Sequence, residues 1–265
     1  MYTKAELLTQ LKSMNIDQNG TIIIHSSMKS IGNVEGGADT VLDVLSHYMK
    51  NGLLVFPTHT WEYVNQKQPK FYVETSPSNV GILTEKFRKR PNVIRSLHPT
   101  HSVAALGKDA RSFIEDNEKF DTPCARGSSW GKLLDRQAKI LLVGVDLKRN
   151  TFIHGIEEWM DIPGRVTETH EQLITVLPDG TEISVPSRRH YGLSWSEHYW
   201  KVEKVLAEKG AIEYGKLGNA TVLICDTVKL TNYISDMLKI DPDLFSDNEP
   251  LSEEFIEQFE NHYAY

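Results

Sequence analysis

Cysteine is scarce in this chain of 265 residues, which contains only Cys124 and Cys225. Two cysteines provide no disulfide framework, so the small disulfide-rich secreted proteins are excluded and a reducing compartment is favoured. Long apolar runs are also missing, since no stretch approaches the length of a membrane span. The N-terminus has Thr3 followed by Glu6, which predicts a capped helix and not a signal peptide. We therefore expect a cytoplasmic protein with no membrane partner.

Positive charge is in short supply as well. The chain has 29 Lys and Arg residues against 36 Asp and Glu residues, giving a net charge of −7. This balance argues against a nucleic-acid partner and is compatible with a cationic substrate. Repeats and low-complexity tracts are absent from the sequence, and we expect one domain over residues 1–265. Its acidic tail, about 241–265, predicts a solvated flank with a terminal helix from Ser252.

Helices and strands alternate in the first half of the chain, and hairpins follow in the second half. Residues 3–14 and 78–90 have helical patterns, and a third predicted helix covers about 194–209. Two late segments, 173–185 and 211–225, each contain a pair of strand-like runs around a turn. This order predicts an α/β fold with a mixed central sheet and late β-hairpins.

A histidine and a glutamate lie three residues apart where a predicted strand, 139–145, is followed by a helix. If Asn150 caps that helix, His154 and Glu157 share one face within side-chain reach. A carboxylate beside an imidazole fixes the tautomer of the ring and stabilises its protonated form, which makes the ring a useful base. The alternative interpretation is a histidine and a glutamate on a solvated helix face.

The segment 25–37 runs from the end of a predicted strand to the start of a helix. It is rich in hydroxyls and small residues and contains Gly32, Gly36 and Gly37, so backbone N–H groups can approach a ligand closely. Such a loop suits a phosphate or a pyrophosphate. It contains neither the P-loop pattern nor the dinucleotide-binding glycine pattern.

Other segments give weaker indications. His98 and His101 are separated by a proline, so the segment is extended, and no further ligand is near in sequence; we expect site-lining groups and no metal. Nothing near Cys124 would lower its pKa, which argues against a nucleophilic thiol. Trp61 is expected in the core. The neighbouring Glu62 belongs to a long loop of the kind that can line an active-site mouth.

Several motifs, in this order and spacing, resemble the aminoglycoside N3-acetyltransferase family, which has the antibiotic N-acetyltransferase fold and is distinct from the GCN5-related acetyltransferases. They are HSSMKSIGNVEGGADTVLDVL, GLLVFPTHTW, HPTHSVAALG, DTPCARGSSWGKL and KILLVGVDLKRNTFIHGIEEWMDIPGR. The resemblance covers about residues 3–235. It implies a single-domain, three-layer α/β/α fold, acetyl-CoA as the donor, and the 3-amino group of an aminoglycoside as the acceptor.

The resemblance also implies roles for individual residues. His154 would be the general base of a direct attack in a ternary complex, and Glu157 would hold its ring. The residues expected to bind acetyl-CoA are His25, Ser26, Ser27, Ser30, Ile31, Gly32, Val34, Gly36, Gly37, Ser102, Val103, Arg126, Gly127 and Ser128. Those expected to bind the acceptor are Glu62, His98, His101, Asp146 and Glu158. The candidate donors to the oxyanion of the transition state are Ser26, Ser27 and Ser102.

Alternative functions remain open at the level of sequence. One is an acyl-CoA-dependent N-acyltransferase that acts on a different amine metabolite, with little resistance activity. Another is a metal-dependent hydrolase that uses His98, His101 and His154 with a carboxylate. A third is a catalytically inactive CoA-binding protein. A homodimer is compatible with the sequence, which does not specify the oligomeric state.

Overall fold

Two β-sheets and their surrounding helices make up the computed structural model, which describes residues 1–190 and 195–262. The strands are β1 (Thr21–Ser26), β2 (Leu53–Pro57), β3 (Lys70–Tyr72), β4 (Ile94–Arg95), β5 (Val103–Gly107), β6 (Lys139–Val143), β7 (Glu171–Val176), β8 (Glu182–Ser187), β9 (Ile212–Leu217) and β10 (Ala220–Asp226). The α-helices are α1 (Lys4–Ser13), α2 (Met28–Ile31), α3 (Gly37–Tyr48), α4 (Ile82–Phe87), α5 (Ala110–Ile114), α6 (Ser129–Asp135), α7 (Thr151–Trp159), α8 (Glu203–Glu208), α9 (Thr227–Ile240) and α10 (Glu253–His262).

The larger sheet has seven strands in the order β4-β5-β2-β1-β6-β10-β9. Its centre is parallel, because β1 pairs in parallel with both β2 and β6, and Ile23 lies opposite Val55 on one side and Ile140 on the other. Its flanks are antiparallel, since β5 runs against β2 and β10 runs against β6. A smaller sheet has the order β3-β7-β8. The predicted mixed sheet and both late hairpins are confirmed.

Alternating side chains of the central strands divide the core into two layers. Ile22 and Ile24 of β1 belong to the cluster that contains the apolar residues of α1 and α3. Ile23, between them, belongs to the cluster formed with α6, α7 and α9. Each buried isoleucine contributes about 1.5–3 kcal/mol of transfer free energy. The three-layer α/β/α arrangement follows from this alternation and is confirmed.

The carboxyl ends of the parallel strands β1, β2 and β6 lie at one edge of the sheet. His25 and Ser26 end β1, Pro57 ends β2, and Val145 follows β6. In open α/β sheets the crevice beyond this edge is the usual place for ligands. The fold therefore brings segments that are far apart in sequence to one location.

Two predicted helices differ from the structure. The helix predicted at 78–90 is limited to α4, because Gly81 precedes it with φ +120° and the N–H of Ser78 donates to Glu85 at 2.7 Å instead of Ser78 capping the helix. The helix predicted at about 194–209 is a 3₁₀ segment, Trp195–Val202, followed by α8. Its predicted start at Ser194 lies outside the described residues.

Most described residues of the acidic tail are exposed, as expected for a solvated flank, but a few of its apolar residues pack into the fold. Phe245 and Phe259 are buried, and Lys201 reaches the carbonyl of Leu244 and the carboxylate of Asp247, each at 2.8 Å. Apolar residues spaced among the acidic ones supply the buried contacts. The terminal helix predicted from Ser252 is confirmed as α10. Over the described ranges, none of the helices combines the length and the apolar character that a membrane span requires.

Candidate active site

A cavity of about 680 Å³ opens at the carboxyl edge of the central strands. Its wall is formed by His25, Ser26, Pro57, His59, Trp61, Asn79, Val80, His101, Val145, Lys148, Arg149, Thr151, His154, Arg189, His190 and Ser196. Within the described part of the chain this wall contains five imidazoles and three cationic side chains but no carboxylate. Carboxylates lie behind the wall, as the contacts of α7 show.

Helix α7 presents His154 to this cavity and keeps Glu157 behind it. The side chain of His154 is 20% exposed, whereas that of Glu157 is fully buried. Tyr199 lies between the two: its hydroxyl is 2.8 Å from Nδ1 of His154 and also forms a short hydrogen bond with Oε2 of Glu157. The other carboxylate oxygen of Glu157 receives Nε of Arg165 at 2.6 Å. The predicted pairing of His154 and Glu157 therefore exists, with Nδ1 and Oε2 at 3.4 Å.

The hydrogen bonds of Tyr199 determine the tautomer of His154. Burial alone would raise the pKa of Glu157, but hydrogen bonds from His154 and Tyr199 and the charge of Arg165 hold that pKa below its usual value. Burial and the neighbouring Glu157 raise the pKa of Tyr199 well above its usual value, so the hydroxyl keeps its proton. A tyrosine has one proton to donate. Because that proton is given to the ionised Glu157, the hydroxyl oxygen accepts from Nδ1–H of His154. Nε2 is then left unprotonated.

The start of α7 differs from the prediction. Asn150 occupies the N-cap position, but its side chain makes no capping hydrogen bond. Both polar atoms of that side chain are buried without a hydrogen-bond partner among the described residues. A backbone hydrogen bond stabilises the first turn instead: the N–H of Ile153 donates to the carbonyl of Asn150 at 3.1 Å. The proximity of His154 and Glu157 thus depends on helix geometry and Tyr199, not on the predicted cap.

A second histidine–glutamate pair lies beside the first. Nε2 of His190 is 2.6 Å from Oε1 of Glu158, whose side chain is 5% exposed. The imidazole of His190 is stacked on that of His154, with centroids 4.2 Å apart and planes at 23°. The backbone N–H of Cys124 donates to Glu158 at 2.9 Å. Burial raises the pKa of Glu158 to about 7 and lowers that of His190 well below its usual value.

The residues predicted to bind the acceptor occupy different depths. His101 lines the cavity. His98 lies behind it, and its Nδ1 accepts the backbone N–H of His101 at 3.1 Å. Glu62 is exposed, 3.4 Å from the amide of Asn79. Asp146 is exposed and accepts the N–H of Lys148 at 3.1 Å. Glu158, described above, is directed inward and not into the cavity.

The predicted CoA loop reaches the cavity at its first two residues. His25 and Ser26 line the wall, and Nε2 of His25 and Oγ of Ser26 are buried without a hydrogen-bond partner among the described residues. Burial lowers the pKa of His25 to about 3. Ser27 caps α2 and bonds Oγ of Ser30 at 2.9 Å.

The other predicted residues of the loop do not line the cavity; they pack in the core or allow the turns of the backbone. Ile31 and Val34 are buried in the apolar core. Positive φ angles occur at Gly32 (+86°), Gly36 (+73°) and Gly37 (+63°). Their contact with a ligand stays a prediction.

The remaining predicted CoA residues are engaged in structural contacts. Ser102 is buried and bonds Thr58 and Arg95, and Val103 begins β5 in the core. Arg126 pairs with Asp135 at the surface. The neighbouring Gly127 packs its backbone against the ring of Phe120, and Ser128 caps α6. None of these five predicted residues belongs to the described cavity wall, and their role in CoA binding stays a prediction.

Sequence reasoning missed Tyr199, Arg165, His190 and His59, and it placed Trp61 in the core. Trp61 is 44% exposed and lines the cavity. Arg165 lies 8 positions from Glu157 and Tyr199 lies 45 positions from His154, while His59 precedes the motif, and no local pattern marks any of them. A search for aromatic or basic residues that follow the His154 motif would have been the available signal.

Metal binding has one geometric candidate among the described residues. Ligand atoms of Cys124, Glu158 and His190 lie within 4.8 Å of one another. Two of these ligand groups are already bonded to each other, Glu158 and the ring of His190, while the thiol of Cys124 bonds the carbonyl of Thr151. Burial raises the pKa of the Cys124 thiol well above its usual value, which opposes the thiolate that a metal requires. The trio needed by the hydrolase hypothesis is not such a cluster in the described ranges.

Comparison with known proteins gives the family. Residues 23–239 match the family model described as aminoglycoside 3-N-acetyltransferase. Aminoglycoside N(3)-acetyltransferase VII of Streptomyces paromomycinus is 28% identical in an alignment 199 residues long that covers 68% of this chain and 68% of the relative. A histidine-to-alanine mutant of AAC(3)-IVa in complex with a gentamicin superposes with a TM-score of 0.80 at 26% identity, covering 92% of this chain and 91% of that one.

A further structure, AAC-IIIb in binary complex with CoASH, has a TM-score of 0.79 at 21% identity and covers 90% of this chain and 97% of its own, which supports the shared fold. The family model spans most of the chain and includes the central strands and α7. The chain therefore belongs to the aminoglycoside 3-N-acetyltransferase family and is an acetyltransferase.

Proposed function

We propose that this protein transfers the acetyl group of acetyl-CoA to the 3-amino group of an aminoglycoside, with His154 as the general base. The observation that carries the proposal is the relay from Glu157 through the hydroxyl of Tyr199 to Nδ1 of His154. In the neutral ring, this relay places the proton on Nδ1 and leaves Nε2 as the basic atom of a residue that lines the cavity. One solved relative is in complex with a gentamicin and another with CoASH, which supports these two substrates.

The chemistry requires a base because an alkylammonium has no lone pair with which to attack. Nε2 of His154 accepts one proton from the amine, directly or through one water. The nitrogen lone pair forms the new bond to the acetyl carbon, and the carbon–sulfur bond breaks. The leaving sulfur takes the second proton that the nitrogen loses as it becomes an amide, which gives the CoA thiol, and the first proton leaves the imidazolium to solvent. The charge on the resulting imidazolium is stabilised by Glu157 across Tyr199. A positioned base contributes roughly 10²- to 10⁴-fold in rate.

The cavity wall offers groups that fit acetyl-CoA. Lys148, Arg149 and Arg189 supply positive charge for its phosphates, although Lys148 also pairs with Glu197 and Arg189 with Glu171. Of the three serines considered for the oxyanion, Ser26 is the one whose hydroxyl is both at the wall and without a hydrogen-bond partner among the described residues. We assign Ser26 as the first choice for that role. When bound, the thioester supplies the electrophilic acetyl carbon.

One observation favours a second candidate function. The described wall has three cationic side chains and no carboxylate, whereas a polycationic aminoglycoside would be attracted by negative charge. The carboxylates beside the catalytic ring, Glu157 and Glu158, are buried and already bonded. The second candidate is therefore an acyl-CoA-dependent N-acyltransferase for a less highly charged amine.

A thiol-release assay tests both candidates. Purified protein, acetyl-CoA and a panel of aminoglycosides and simple amines would be compared, with mass spectrometry to locate the acetyl group. Acetylation at the 3-amino group supports the proposal. Turnover confined to amines of low charge supports the second candidate. Absence of turnover with every amine, together with no thermal shift at millimolar CoA, would contradict both.

The general base has a matched control in the same chain. We expect His154→Ala to lower kcat at least 100-fold, in line with the value of a positioned base. His47→Ala changes an exposed histidine on α3 and should leave kcat unchanged. Full activity of the His154 variant would show that another group accepts the proton. Metal analysis of the same preparations addresses the hydrolase hypothesis, for which we expect no stoichiometric zinc.

A further inference from the structure

The pair formed by Glu158 and His190 has a geometry that the transfer reaction described above does not use. His190 follows β8, at a large sequence distance from α7, yet its ring lies flat against that of His154 with centroids 4.2 Å apart. Its Nε2 is held at 2.6 Å from Oε1 of Glu158. The position of the His190 ring is thus set from the same helix that carries His154.

The charge of Glu158 lacks a cationic partner of the kind that Glu157 has. Glu157 is bonded by Arg165 at 2.6 Å. The two carboxylate oxygens of Glu158 share the single backbone N–H of Cys124, at 2.9 and 3.2 Å, and Oε1 also lies against Nε2 of His190. No lysine or arginine among the described residues forms an ion pair with Glu158. A buried carboxylate without a cation favours positive charge nearby. The imidazolium that His154 becomes during transfer is such a charge.

We propose that His190, held by Glu158, is a positioning residue that keeps the ring of His154 oriented and stabilises its protonated form during transfer. The inference rests on His154 being the base of the proposed function. Nε2–H of His190 donates to Glu158, so the negative charge of the carboxylate polarises the His190 ring. That ring lies against the face of the His154 ring. Glu157 and Tyr199 support Nδ1 at the ring edge, and His190 with Glu158 supports the ring face.

Several titratable or charged groups face this cluster from the elements packed around it. Glu158, with a pKa of about 7, titrates in the same range as an ordinary histidine. The acid limb of the kcat/KM profile therefore reports the protonation of the whole cluster and not of one residue. The facing groups are Glu157 and His154 on α7, Tyr199 in the 3₁₀ segment, Cys124 before α6, His59 after β2, His98 and His101 before β5, and Arg189 beside His190.

The first test is Glu158→Gln, which keeps the size of the side chain and an acceptor for His190 but removes the charge. Without that charge the protonated form of His154 is less stable. We expect the acid limb of the kcat/KM profile to move to lower pH by up to roughly one unit, because Glu158, with a pKa of about 7, carries only part of its charge over that limb. The plateau value of kcat should fall, because a weaker base removes the proton less effectively.

His190→Phe is the second variant, because it keeps a flat ring against His154 but cannot donate to Glu158. Loss of that donor favours the protonated carboxyl group, so the acid limb should again move to lower pH. Glu182→Gln is the matched control: Glu182 lies on β8, the strand that precedes His190, and pairs with Lys70 at the surface. We expect its profile to match that of the unmodified protein.

An NMR titration keeps this inference distinguishable from the proposed function. Histidine ring resonances would be followed against pH in the unmodified protein and in Glu158→Gln, with His154→Ala used for assignment. A lower pKa of His154 in the Glu158 variant supports the inference even if no acceptor is turned over. Unchanged titration of His154 together with an unmoved acid limb would overturn it. An active enzyme with that result would leave the proposed function intact.

Discussion

Replacing Tyr199 by phenylalanine removes one oxygen atom from the centre of the site. The ring keeps its packing, including the edge contact with Phe245 at 4.7 Å, so the fold is preserved. What disappears is the donor to Glu157 and the acceptor for Nδ1 of His154. At a separation of 3.4 Å, a direct contact between Nδ1 and Oε2 does not replace that link fully.

The expected losses of kcat and of stability follow from the kind of hydrogen bond that the Tyr199 variant lacks. A hydrogen bond to a charged group contributes about 1.5–3 kcal/mol. If it supports the base only while charge develops on His154, kcat should fall roughly 10- to 150-fold. The same loss in the ground state would lower the free energy of unfolding, and for a chain of this size 1 kcal/mol corresponds to about 2–4 °C in Tm.

The assay is thiol release with saturating acetyl-CoA, performed across pH and paired with a thermal melt. Tyr214→Phe is the control, because Tyr214 is 55% exposed on β9 and bonds Glu203 away from the cavity. A Tyr199 variant with kcat within threefold of the unmodified protein would refute the relay, provided that the cavity still binds CoA. The tautomer of His154 would then be determined by another contact.

Other predictions concern charge and packing. Arg165→Met removes the cation from buried Glu157 and should lower the free energy of unfolding by about 3–5 kcal/mol, measured by urea denaturation. Burial lowers the pKa of His25 and of His98 to about 3, so the unfolded chain binds more protons at these two sites below pH 6.5, and each should reduce stability by roughly 1 kcal/mol at pH 5.5. Glu158 acts in the opposite direction, because its raised pKa of about 7 favours the folded chain as the pH falls, but the two histidines together outweigh it. Tm should therefore fall between pH 7.5 and 5.5, and an unchanged Tm would contradict this. Deletion of residues 241–265 removes Phe245 from Tyr199 and should lower both Tm and kcat, whereas full activity would show that the tail is dispensable.

The relation between His154 and Glu157 shows how far local sequence reaches. A spacing of three residues on a helix brings two side chains together in any fold, so this pair was predictable. Tyr199 and Arg165 reach the same carboxylate only because the 3₁₀ segment and the turn after α7 fold back over the helix. No periodicity in the sequence predicts that these segments contact α7.

The acidic residues near the cavity show what local sequence does not predict. Asp146, Glu158 and Glu62 are close in sequence to predicted site segments, and a sequence pattern treats them as acceptor ligands. The structure turns Glu158 inward to Cys124 and His190 and leaves Asp146 and Glu62 exposed. The direction of a side chain depends on what packs against its element, which distant segments supply.

The amino-acid sequence alone determined the α/β class, the mixed sheet, the late hairpins and the family, because these depend on local periodicity, turn residues and ordered motifs. Tertiary structure alone decided which groups meet His154. Tyr199 at its edge and His190 on its face come from positions 45 and 36 residues further along the chain. Their contacts exist because burial of apolar side chains on both faces of the sheet brings those segments over α7, and burial is a property of the whole fold.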